Sequence, residues 1–69
     1  MDMALARRIA DVGSRTALDL GRLMEGVTEP QERRRMAEVI GRIVGLIYAD
    51  LLRPVYKDFP ELEPPQLKD

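Results

Sequence analysis

The chain has 69 residues, a net charge of −1, no cysteine and no histidine. A disulfide is thereby excluded, and a transition-metal site has lost its usual ligands. A chain this short forms one domain and buries only about 60% of the surface its unfolded form exposes. Such domains need a staple, and oligomerisation is the one left open.

The charges select no partner by themselves. Residues 1–53 hold nine Arg and no Lys against eight acids, and the rest holds two Lys against four acids. MDMALARRIADV carries an acid and arginines where a secretory leader needs an unbroken apolar core. The longest apolar segment is interrupted by Glu38, Arg42 and Asp50 and is too short to span a bilayer. A soluble, cytoplasmic protein is the expectation.

Asp2 is placed to cap a first helix over about 3–26. Leu5, Ile9, Val12, Thr16, Leu20, Leu23 and Val27 recur at spacings of three and four, the mark of an amphipathic helix. Beside them runs a line of small residues, Ala6, Ala10, Gly13, Ala17 and Gly21. The opposite side reads Arg8, Asp11, Arg15, Asp19, Arg22, a solvated ladder whose aspartates neutralise any anion site.

Gly26 is suited to end the first helix in the left-handed conformation. Thr28 and Gln31 form a capping box, with Pro30 in the first turn of a second helix over about 29–53. So short a connection makes the helices antiparallel neighbours. Arg33, Arg34 and Arg35 then sit near the positive end of the second helix, where cations are mildly unfavourable. They are candidate anion contacts, with a solubilising collar as the blander alternative.

From Met36 the helix is apolar over an arc of about 240°, against the ≳100° stripe of a helix facing one core. Met36, Ile40, Val44, Ile47 and Leu51 form its centre. Ala37, Gly41, Gly45 and Ala49 make a second small line. Each interior glycine costs about 0.8–1 kcal/mol relative to Ala, which argues for close packing, as between small-residue faces of membrane helices. With the turn near Thr28, Ala17 falls opposite Gly41 and Gly21 opposite Ala37. The expected intrachain seam is therefore Ala10, Gly13, Ala17 and Gly21 against Ala37, Gly41 and Gly45. Gly41→Ala should then lower stability or change the oligomeric state. Leu5, Ile9, Val12, Leu23, Ile40, Ile43, Ile47 and Leu51 are left to face a second subunit.

Pro54 should end or kink the second helix. The tail, 54–69, holds four of the five prolines. Its Tyr56, Phe59 and Leu62 either fold back onto the bundle or dock another protein.

Catalytic chemistry lacks its parts. Ser14 is the only serine and has no histidine to activate it. Asp50, at the edge of the apolar arc, reads better as an interchain ion-pair partner for an arginine than as an acid–base group. The expected fold is all-α: an antiparallel two-helix hairpin, dimerising into a four-helix bundle, with a Pro-rich C-terminal tail. The expected role is a non-catalytic oligomerisation or protein-interaction module without cofactor, its partner a second copy of itself. A nucleic-acid-binding hairpin dimer is the alternative, opposed by the net charge and the interleaved aspartates. Peripheral membrane association is the second, opposed by a polar sector without lysines.

Overall fold

The computed structural model describes residues 1–65; the last four residues of the tail, 66–69, lie outside them. The described residues are all-helical, with two long helices and no strand. Helix α1 spans Met3–Leu23 and tightens into a 3₁₀ turn at Met24–Gly26; α2 spans Pro30–Leu46. The helix then widens into a π-helical turn at Ile47–Leu52, resumes as α3 at Arg53–Asp58, and ends in a 3₁₀ turn at Pro60–Leu62.

Asp2 caps α1 by accepting from the Leu5 amide at 2.8 Å. The turn is built differently from the expectation. The cap of α2 is Glu29, whose carboxylate accepts from Gln31 N–H (3.0 Å) and Glu32 N–H (2.8 Å), with Pro30 at the first position. A carboxylate reaching two free amides at the positive end of a helix displaces Thr28 from that role. Gly26 does not adopt positive φ. The carbonyls leaving α1 are met instead by Arg33, whose Nη1 donates to Met24 O (2.8 Å) and Val27 O (3.1 Å).

These contacts join residue 33 to the end of α1, while Ser14 and Gly13 meet Tyr56 and Leu52. The two long helices therefore run antiparallel, as a hairpin. The radius of gyration is 14.0 Å and the extents are 44 × 22 × 19 Å. A globular domain of this length would have a radius of gyration of about 11 Å. The protein is a rod.

Pro54 does not end the helix. A proline lacks the N–H for the i→i−4 bond and crowds the carbonyl four residues back. Just before it the ladder steps out to five residues, Arg53 N–H donating to Tyr48 O, and helical geometry continues to Asp58. The expected boundary at 53/54 is thus moved, and Val55 and Tyr56 become core residues.

The wider turn also resets the helical phase. The spacing of Ile40, Val44 and Ile47 points next to Leu51, yet Leu51 is 43% exposed and Leu52 is fully buried. A π turn takes up roughly one extra residue, about 100° of rotation. Leu52, Val55 and Tyr56 thereby replace Leu51 on the inward face. Ala10, Leu52 and Tyr56 form the core cluster, with Ile47 and Leu62 packed against it.

Candidate self-association surface

On α1 the inward line is small: Ala6, Ala10, Gly13 and Ala17 are buried. On α2 it is large, with Ile40 buried and Met36, Val44 and Ile47 half-buried at helical spacing. The seam is therefore small against large, not small against small. Ala37, Gly41 and Gly45, expected in the seam, are exposed, and a Cβ added at Gly41 or Gly45 would meet nothing within 4 Å. Gly21 is exposed as well. The physical reason is area. Turning the small line inward would leave four large side chains in water, each worth about 1.5–3 kcal/mol when buried.

The residues expected at a subunit interface divide accordingly. Ile40 is buried and Ile47 half-buried within the chain's own core, so neither is open to a partner. Leu5, Val12, Leu23, Ile43 and Leu51 are exposed, and Ile9 is half-buried. Val39 and Leu46, also exposed, belong with them. Both fall within the wide apolar arc that the sequence shows from Met36 onward.

Helix geometry places these side chains on one side of the rod. At about 100° per residue, Leu5, Ile9, Val12 and Leu23 lie to one side of the inward line of α1. Arg7, Asp11, Leu18 and Arg22 lie to the other. On α2, Val39, Ile43 and Leu46 fall to one side of the Met36–Ile40–Val44–Ile47 line, and Ala37, Gly41, Gly45 and Tyr48 to the other. For two right-handed helices running antiparallel, the two apolar flanks share a side. Leu51 ties them together at the open end. With Leu5, Arg8, Ile9, Val12 and Gly13 it lines a shallow depression of about 340 Å³. Thr16, on the same flank, donates its hydroxyl to Val12 O at 2.7 Å, so no unpartnered hydroxyl interrupts the stripe.

The chain matches no family model, no curated protein and no solved structure.

The remaining candidate residues are placed as follows. Tyr56 is buried, its hydroxyl 3.4 Å from Ser14 Oγ, and Phe59 and Leu62 are half-buried. Tyr56 holds the end of the hairpin and is not open to dock a partner. Arg33, Arg34 and Arg35 are all exposed, and Arg33 donates to the turn carbonyls. Arg35 lines a surface depression with Glu29, Gln31 and Glu32, so acids accompany the arginines at this end. Among the described residues no charged side chain is buried, and no group of three or more acids could hold a metal ion. No helix among them is long and apolar enough to cross a membrane.

Proposed function

We propose that this protein is a small, non-catalytic helical association module, whose hairpins dimerise into a four-helix bundle. The observation that carries the reading is the mismatch between a thin core and a wide apolar exterior. Among the described residues four large side chains are buried, Ile40, Leu52, Val55 and Tyr56, whereas ten large hydrophobics are exposed. A rod of two helices has no third layer to cover them. A second hairpin supplies it, at the shallow crossing typical of four-helix bundles. Self-association is also the stabilising device open to a chain without disulfides.

Folding coupled to association makes stability depend on concentration. The thermal midpoint, followed by circular dichroism, should rise as protein concentration is raised through the micromolar range. A midpoint independent of concentration would overturn the reading.

A further inference from the structure

We infer that the second copy covers one particular side of the rod, formed by Leu5, Val12, Ile43, Leu46 and Leu51, and that the Gly41/Gly45 side stays open. This rests on the association reading above and gives it a face and an occupant.

Three observations select the face. Val12, Leu23 and Leu46 are 64%, 57% and 59% exposed, although each lies on a flank of an apolar arc. With Leu5, Val39, Ile43 and Leu51, exposed by 41–46%, seven large apolar residues share this side, enough to reach the upper range of a monomer's largest apolar patch. With its rim, that approaches the ~800 Å² each partner gives to a standard interface. The phase reset before Pro54 also turns Leu51 onto this side, where it joins the α1 stripe around the depression. The opposite side carries Gly41 and Gly45 of α2 with exposed Arg7, Asp11 and Arg22 of α1, and Leu18 and Tyr48 are its exposed large apolar residues. Of the large hydrophobics exposed among the described residues, that side carries these two against seven on the other.

Charge selects the occupant. A two-fold interface is the same patch twice, so it must not repel itself. Arg8 lines the depression, with exposed acids close by, Asp19 next to the Val12–Leu23 flank by helical spacing and Asp50 next to Leu51 in the chain. An anionic membrane or a nucleic acid would be met by a surplus of cations. A balanced apolar face suits a copy of itself.

The test is sedimentation equilibrium on the full chain and three variants, each checked for helicity by circular dichroism. Val12→Lys and Leu46→Lys should each weaken the dimer by at least about tenfold. Gly41→Leu, on the other side, should leave the dissociation constant unchanged. A dimer that survives both lysines, or is lost with Gly41→Leu, overturns the face while leaving association intact. A wild-type chain that is monomeric at every concentration overturns the association reading and this inference with it.

Discussion

A Cβ built on Gly13 would lie 2.7 Å from Cδ2 of Leu52 and 3.3 Å from Cγ of the same side chain. Leu52 is fully buried, so it has little room to withdraw. This is the closest approach that the glycines of the chain report, and it marks where α1 and the π turn meet. Gly13→Ala should destabilise by about 1–3 kcal/mol through overpacking, less the ~1 kcal/mol that alanine gains in a helix interior. Urea denaturation would register the net loss. A more stable variant would mean the contact is soft.

Gly41→Ala is the same substitution on the open side and should behave oppositely. With nothing within 4 Å of the new Cβ, only the helix-propensity term remains, a gain of about 0.8–1 kcal/mol. The expectation drawn from sequence had the other sign, because it placed Gly41 in the seam. A destabilised Gly41→Ala would restore that seam.

The contrast shows what was legible in the sequence. Apolar periodicity gave two long helices, and the short turn made them antiparallel. Asp2 announced its cap. The two small lines were equally visible, but spacing alone does not say whether small meets small or small meets large. Burying Met36, Ile40, Val44 and Ile47 decides that, and this is a question of volume between elements. The exchange of Leu51 for Leu52 was hidden for another reason. A wheel drawn at a constant 100° per residue has no place for a turn that closes at i−5, and Pro54, read as ending or kinking the helix, sits inside one that continues to Asp58.

Leu51 and Leu52 therefore separate cleanly. Leu52→Ala removes a fully buried side chain and should cost about 2–5 kcal/mol, enough to unfold so small a domain. Leu51→Ala should cost far less in stability and act on self-association. Chemical denaturation of both at one protein concentration, with sizing of each, distinguishes the roles. Equal losses of stability would contradict the phase reset.

The turn makes its own prediction. Glu29→Ala removes a cap that serves two amides and should cost about 0.5–2 kcal/mol, whereas Thr28→Ala should be nearly neutral. Arg33→Met removes two hydrogen bonds to Met24 O and Val27 O and should cost on the order of 1 kcal/mol; Arg34→Met should not. Urea midpoints for the four variants test the set. If Arg33→Met and Arg34→Met match, Arg33 does not hold the turn.

Self-association is the claim on which the rest depends, and mass in solution addresses it directly. Sedimentation equilibrium of the full chain through the micromolar range should give a species of twice the 7.9 kDa chain mass that dissociates on dilution. A single-chain mass at every concentration would contradict the account.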